Sequence, residues 1–394
     1  LVYPGAARAQ VWTEGRAIAR ADATAPYVLR ARTQVEGAAA LGTYGTVPIV
    51  GNPIVGVRAL FVPDREAATV GLYLGLPFEI GGARAAWRTE ARHAFDVAQA
   101  SLDAARIDAR ADARRAYVDV AVAAERVRMT GLRLETAREL LSRTEARVNA
   151  AASTELDRAL ALREVGIAEF EVASAVRDRD AAAARFRSAL DLSPGDPVAA
   201  APVSAPSPEP GLTREAAIAR ALALRPEPRA GRATEARWLS ADQRLRAESI
   251  APIIVAAEAE VTQYRYAGVG VSLNAAIPLW QLAQGPRAVA RAEARTAASL
   301  RGITERDIAR EAGAAWDAYR DALEEHHTLL DHYVPALERT LELTDRLFDA
   351  GAVDAFRALL ARQELASARL RLLEAVRGAW LARIALDRIT AVQP

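Results

Sequence analysis

The chain repeats itself at an offset of 200 residues, and this limits the folds open to it more than any other feature. "TEGRAIARA" at 13–21 matches "TREAAIARA" at 213–221, and Pro26 matches Pro226. Tyr117 aligns roughly with Trp316, and "NAAASTELD" at 149–157 with "DAGAVDAFR" at 349–357. Between the copies lies "SPGDPVAAAPVSAPSPEP" at 193–210, with six prolines in 18 residues. A helix cannot run through that, so the segment reads as an extended linker. The chain is expected to hold two structural repeats, 11–192 and 211–392.

Each repeat reads in the same order. A helix opens at Thr13 or Thr213, either of which can cap it. Two short strands follow: 54–62 and 69–77 in the first repeat, 252–262 and 268–277 in the second. The turns fall at "PDRE" and near "QYRYAG". Then comes a very long helix, 84–148 or 287–349. Roughly 65 residues of helix extend about 100 Å, more than a globular core uses, so such helices pack along their length. Pro335 is expected to kink or interrupt the second of them. A break at "NAAAS" or "DAGAV" precedes a returning helix, 153–191 or 353–391. Leu365, Ala368, Leu372, Ala375, Ala379, Ala382, Leu386 and Ile389 step by three and four. The positions 200 earlier are apolar too, except Arg179. A 3.5-residue repeat rich in alanine predicts close side-by-side helix packing.

Composition removes several alternatives. Fifty-one basic residues, all Arg, balance 50 acidic ones, so net charge gives no pull toward nucleic acid. With no cysteine, the residues shown carry no disulfide, thiolate metal site, Cys nucleophile or lipidated Cys. "ARAQ" at 7–10 has a signal-peptidase form but too few residues before it, which reads as a chance match, and the sequence is expected to start at or near a mature terminus. No apolar run is long enough for a membrane helix, but short alternating barrel strands escape hydropathy scans.

The strands alternate cleanly. In "GVGVSLNAAIPLW" at 268–280, Val269, Val271, Leu273, Ala275 and Ile277 fall on one side, and Gly270, Ser272 and Asn274 on the other. Isolated hairpins are marginal in water and their edges invite aggregation. Closure with strands from copies of the chain removes the edges, and apolar-out, polar-in alternation suits a barrel in lipid. Arg58, Glu258, Glu260, Ser272 and Asn274 would then line a wet pore. Tyr264 and Tyr266 at one end, and Phe78 and Trp280 at the other, suit the membrane boundaries. The competing reading is a small sheet capping a soluble helical bundle, as in a periplasmic coiled-coil adaptor or scaffold.

At this point the arrangement resembles the TolC-like outer-membrane efflux proteins. "LGLPFEIGGARAAWRTEA" (74–91) looks like the segment leaving their first barrel hairpin, particularly in the heavy-metal CzcC/CusC-like branch. "IPLW" (277–280) looks like its second-half counterpart. "YVPALERTLELTDRLFDAGAVDAFRALLARQEL" (333–365) is similar to the segment that rounds the periplasmic helix tip. The resemblance implies a mainly α chain with a small β part, assembled as a homotrimer. Four strands per chain would make a twelve-stranded transmembrane barrel, continued by a long α-helical barrel. It also implies a periplasmic adaptor and an inner-membrane pump as partners, passive export of metal ions or small toxic compounds, and an outer-membrane location. Departures are "LWQLAQGP", which lacks the usual Gly/Arg pattern, and Ala151 where the second repeat has Gly351.

Enzymatic chemistry is not expected. No nucleophile–base pattern or phosphate loop stands out, and no cofactor is implied. The cluster "EEHHTLLDH" at 324–332 invites a metal reading, with His327 and Asp331 one turn apart and His332 offset around the helix. It lacks an HExxH pattern, and no metal site is expected. Glu155, Asp157, Asp349 and Asp354, with Gly351, lie at the two helix breaks. In a three-fold assembly each carboxylate becomes a ring of three, able to favour cations and respond to pH. Acidic residues are also ordinary at helix N-termini.

Overall fold

The computed structural model describes residues 11–45, 51–62, 67–262, 267–280 and 282–392. The turn segments that carry Tyr264 and Tyr266 lie outside them. The chain is mainly helical with a small sheet. In order the elements are β1 (Val11–Trp12), α1 (Glu14–Thr24), α2 (Pro26–Leu41), β2 (Ile54–Val62), β3 (Ala67–Phe78), α3 (Ala83–Asn149) and α4 (Glu155–Ala189). Then come β4 (Ala199–Ala200), α5 (Arg214–Leu224), α6 (Pro226–Glu248), β5 (Ile253–Thr262), β6 (Ala267–Ala275), α7 (Gln284–Thr328), α8 (Val334–Asp349) and α9 (Ala355–Ile389).

Two compact units emerge, and they do not follow the two sequence repeats. One comprises Leu1–Leu29, Ala105–Arg225 and Asp307–Pro394; the other comprises Arg30–Ala104 and Pro226–Arg306. Each unit takes residues from both repeats.

In the first unit the heptad seams are the packing surface. Val165 and Ala168 of α4 meet Ala137 of α3, with Leu134 and Leu141 beside them. Leu365 and Ala368 of α9 meet Val334 of α8, with Leu337 and Leu341 beside them. The two clusters use positions 200 apart. Further along α9, Ala379, Leu386 and Ile389 join Ala217, Ala221, Ile308, Ala312, Tyr319 and Leu323. Arg179, the one charged position of the first seam, is exposed and bonded to Asp180. Alanine at the contacts lets backbones approach, while leucine and valine supply most of the buried area.

The proline-rich linker belongs to the same unit. Ala199 and Ala200 pair in parallel with Val11 and Trp12. Its carbonyls take donors from helix aromatics: Trp380 Nε1 reaches the Ser204 carbonyl (2.6 Å) and Tyr319 Oη that of Ser207 (3.1 Å). Just beyond it, Trp316 Nε1 donates to the Leu212 carbonyl (3.0 Å). Prolines have no N–H for a ladder, so side-chain donors hold the strap instead.

Pro335 acts as its chemistry demands, without a break. Leu329–Tyr333 form a π turn, and Pro335 sits in the first turn of α8. A proline ring clashes with the carbonyl four residues earlier, and a wider turn at Asp331 relieves that.

The second unit holds the sheet. Its order is β2-β3-β5-β6, with each neighbouring pair antiparallel. The two hairpins are therefore joined by β3 pairing with β5. β6 ends at Ala275, two residues short of the expected end at Ile277. Its partner begins at Ile253, opposite Ala275, so residues 276 and 277 have no strand to bond.

Candidate functional site

Register fixes the two faces of the sheet, because directly paired residues share a face. Arg58 pairs with Gly71, Gly71 with Glu260, and Glu260 with Gly268. Tyr73 pairs with Glu258, and Ala256 with Ser272. Ile254 pairs with Asn274. Arg58, Glu258, Glu260, Ser272 and Asn274 thus share one face. Ser272 Oγ donates to Glu258, and Asn274 Nδ2 donates to Ser272 Oγ at 3.1 Å. Between them lie Gly56, Gly71, Gly75, Gly268 and Gly270. A Cβ at Gly56 would sit 2.0 Å from the Tyr73 ring, so the tyrosine lies flat across that glycine.

The opposite face is wholly apolar. It carries Val55, Val57, Phe61, Val70, Leu72, Leu74, Val255, Val261, Val269, Val271 and Leu273. All are exposed, with Val269 at 90% and Val271 at 78%. A sheet capping a soluble bundle would turn this face onto helices. Here it lies bare, far beyond the apolar patch that a soluble monomer tolerates. Both outer strands, β2 and β6, also keep an unpaired edge within the chain.

The helix breaks form a second set of candidates, in the first unit. After α3, Ala151 takes φ 55°, Ala152 N donates to the Arg147 carbonyl (2.8 Å) and Ala151 N to that of Val148 (2.9 Å). After α8, Gly351 takes φ 75°, Ala352 N donates to Leu347 (2.8 Å) and Gly351 N to Phe348 (3.0 Å). The two ends share one left-handed closing motif, in which glycine is the unstrained residue. Ala151→Gly is expected to raise the stability of the first tip by about 0.5–1 kcal/mol, and Gly351→Ala to lower that of the second by a similar amount. Denaturant midpoints read by a probe at each tip check both.

Asp157 is held in a capping box. Its carboxylate accepts from Ser153 Oγ (2.7 Å), Thr154 N (2.9 Å) and Thr154 Oγ1 (2.8 Å), while Thr154 caps α4. Asp354 caps α9, accepting from Arg357 N at 2.9 Å. Glu155 pairs with Arg158 at 2.8 Å on the surface. Asp349 is the last residue of α8, and its side chain lies outside the described set. The hydrogen bond from the Thr154 backbone, followed by those of the Ser153 and Thr154 hydroxyls, holds the Asp157 carboxyl below its ordinary 3.8. A depressed carboxylate pKa adds stability that is present above the unfolded value and disappears as pH falls through the folded one. Exchange protection of the first turn of α4 is therefore expected to hold above pH ~4 and drop below it, a loss that Asp157→Asn removes.

The histidines divide. Among the described residues no group of three or more His, Cys, Asp or Glu stands ready to hold a metal. Glu324, His327, Asp331 and His332 line a shallow depression of about 320 Å³, since the π turn carries His332 round toward His327. His326 is buried and packs its ring 5.6 Å from that of His327; burial, then His327, lowers its pKa.

Some polar sites had no clear sequence signal. Glu164 is buried, takes Arg133 at 2.7 Å and is bonded by Gln363 of α9. Arg147 donates to the Phe348 carbonyl (3.1 Å) and stacks 4.6 Å from its ring, tying the end of α3 to that of α8. Charged residues on long helices read as solvated, and only the apolar seam beside Glu164 hinted otherwise.

Residues 43–191, which include the first hairpin and helices α3 and α4, match the family model described as outer membrane efflux protein. No curated protein matches the chain. Several solved structures share the fold over nearly the whole chain. CusC, described in terms of folding and transmembrane channel formation, is 13% identical with TM-score 0.77, covering 99% of this chain and 95% of its own. The outer membrane protein VceC of Vibrio cholerae is 14% identical with TM-score 0.75, covering 96% and 95%. The MtrE channel of Neisseria gonorrhoeae, in its open state, is 16% identical with TM-score 0.72, covering 96% and 88%.

Residues 43–191 are thus similar to the outer membrane efflux family, and the whole chain shares its fold with solved outer-membrane channels.

Proposed function

We propose that the chain is the passive outer-membrane duct of a tripartite efflux assembly, exporting metal ions or small toxic compounds. It acts as a homotrimer with a periplasmic adaptor and an inner-membrane pump. Four strands from each of three copies close a twelve-stranded barrel, which removes the free edges of β2 and β6. The helices of the three copies continue it as a periplasmic tunnel. One observation carries this reading: one sheet face is apolar throughout and mostly bare, and the polar groups share the other face. Lipid satisfies the first face and water the second.

Arg58, Glu258, Glu260, Ser272 and Asn274 then line the barrel. Two carboxylates and one guanidinium per chain give the lumen a net negative ring. Glu155, Asp157, Asp349 and Asp354, with Gly351 closing the turn, mark the periplasmic tip, where three-fold rings of carboxylate favour cations. The resemblance of residues 74–91 to the heavy-metal branch supports metal ions as cargo, with drugs the alternative.

The test is purification followed by planar-bilayer recording. Detergent-dependent extraction as a trimer and cation-selective conductance are expected. Glu258→Gln with Glu260→Gln should move the reversal potential toward zero in a salt gradient. A water-soluble monomer without conductance would overturn the duct, and an unchanged reversal potential would remove the two glutamates from its lining.

A further inference from the structure

Packing between the two repeats covers one face of α9 and leaves its counterpart on α4 bare. On α9, Leu359 shares a buried cluster with Leu140 of α3, and Gln363 Nε2 donates to Glu164 of α4. The positions 200 earlier on α4 are Ala159 and Arg163. They belong to a run at steps of three and four, Leu156, Ala159, Arg163, Gly166 and Phe170, and every member is exposed. A Cβ on Gly166 would meet nothing within 4 Å. That spacing is the seam of a helix packed along another helix.

The helix that covers α9 has a bare counterpart as well. α3 reaches the second repeat through Leu140 and through Arg147, which donates to the Phe348 carbonyl (3.1 Å). The matching positions on α8 are Thr340 and Leu347. With Tyr333, Ala336 and Leu343 they make a second run at steps of three and four, again exposed throughout. Each contact between the repeats thus has an image 200 residues away. Leu140 with Leu359 maps to Thr340 with Ala159, and Arg147 with Phe348 maps to Leu347 with Val148. Glu164 with Gln363 maps to Glu364 with Arg163. This last image sets an exposed carboxylate against an exposed guanidinium, and among the described residues neither has a side-chain partner.

We infer that the two bare faces meet between copies of the chain, through the images of the contacts made within it. Glu364 pairs with Arg163 of the next copy, Leu347 packs on its Val148, and Thr340 on its Ala159. The occupant is a second copy rather than a foreign helix, because the charges are complementary and the chain already makes the same contact with itself. Such a joint uses different patches on its two sides, so it closes into a ring or runs on as a filament. Three joints between copies, alternating with three inside them, close the ring. The joint rests on the homotrimer proposed above and assigns it residues in the helical unit.

The chain lacks cysteine, so introduced thiols are unique. Two full-length chains with different tags are co-expressed, one carrying Arg163→Cys and the other Glu364→Cys, and membranes are treated with a short bis-maleimide. A band carrying both tags arises only between copies. It is expected at about tenfold the level given by Glu364→Cys with Arg177→Cys, since thiols held together react at a high effective concentration. Arg177 lies about 21 Å further along α4. Leu347→Cys with Val148→Cys should give a band of similar strength. Without cross-linker, Glu364→Arg should lower the trimer fraction on sizing about twofold or more, and Arg163→Glu in the same chain should restore it. An unchanged or unrestored fraction overturns the ion pair. A normal trimer with no dual-tag band from either pair overturns the joint, leaves the trimer standing and gives the α4 face to another protein or to water. Absence of any trimer in the parent chain overturns the homotrimer, and the joint with it.

Discussion

Leu72→Arg should nearly eliminate the trimer recovered from the outer-membrane fraction. Leu72 lies mid-strand in β3, pairs with Val57 and Ala259, and is 58% exposed on the apolar face. If that face meets lipid, an arginine near the bilayer midplane costs about 2–4 kcal/mol per chain. Three copies make roughly 6–12 kcal/mol per trimer, comparable with the whole stability of a typical domain. On a water-washed sheet the same change would cost no more than about 0.5 kcal/mol. The two environments thus differ in outcome, not only in degree. Size-exclusion profiles of detergent extracts, with Gly71→Ser on the other face as control, read the result. A normal trimer yield for Leu72→Arg would mean that the face never meets hydrocarbon.

Arg114→Met is the second large effect, and it acts in the helical unit. The Arg114 guanidinium is buried, donates from Nε to Glu14, and from Nη1 to Asp387 at 2.7 Å. Asp387 is buried too and also holds Arg383 at 2.8 Å. Arg383 reaches Glu209 at 3.3 Å, and Glu209 takes Arg220 at 2.9 Å. The network ties α1, α3, α5, α9 and the linker together. Methionine fills the space of the arginine stem but leaves the Asp387 carboxylate short of a partner in a dry site. Removing one member of a buried pair costs about 3–5 kcal/mol. Arg383 remains and Glu14 can rehydrate, which places the loss near the lower end, at about 3 kcal/mol. Adding Asp387→Leu should recover part of it, since members of one network are not additive. Circular dichroism melts of the detergent-solubilised protein measure both. A loss under about 1 kcal/mol for Arg114→Met would show that water reaches this site.

Much of the architecture was legible because periodicity is a local property. A 3.5-residue apolar rhythm marks which side of a helix must be covered. Alternation marks the two sides of a strand, and six prolines rule out helix across 193–210. From these came the mixture of long helices with a little sheet and, through the resemblance, the expectation of an efflux protein. Alternation also placed Arg58, Glu258, Glu260, Ser272 and Asn274 on the polar sides of their own strands. It could not say that strands from both repeats share one sheet. That depends on β3 meeting β5, whose paired residues lie 175 to 193 positions apart in the chain.

The acidic residues at the helix breaks teach the same lesson. Their position beside a turn was visible, but a carboxylate there can face a pore or cap a helix. Only the tertiary structure showed Asp157 filled with three donors and Asp354 spent on the backbone of Arg357. Glu164 and Arg114 were hidden altogether, since a charge in a polar helix looks solvated until another helix covers it. The sequence alone determined which faces must be buried and where the chain must turn, because those follow from side-chain chemistry within a few residues. The tertiary structure decided which faces meet, which charges are shut in, and which apolar face is left bare, because each depends on partners that are distant in the chain.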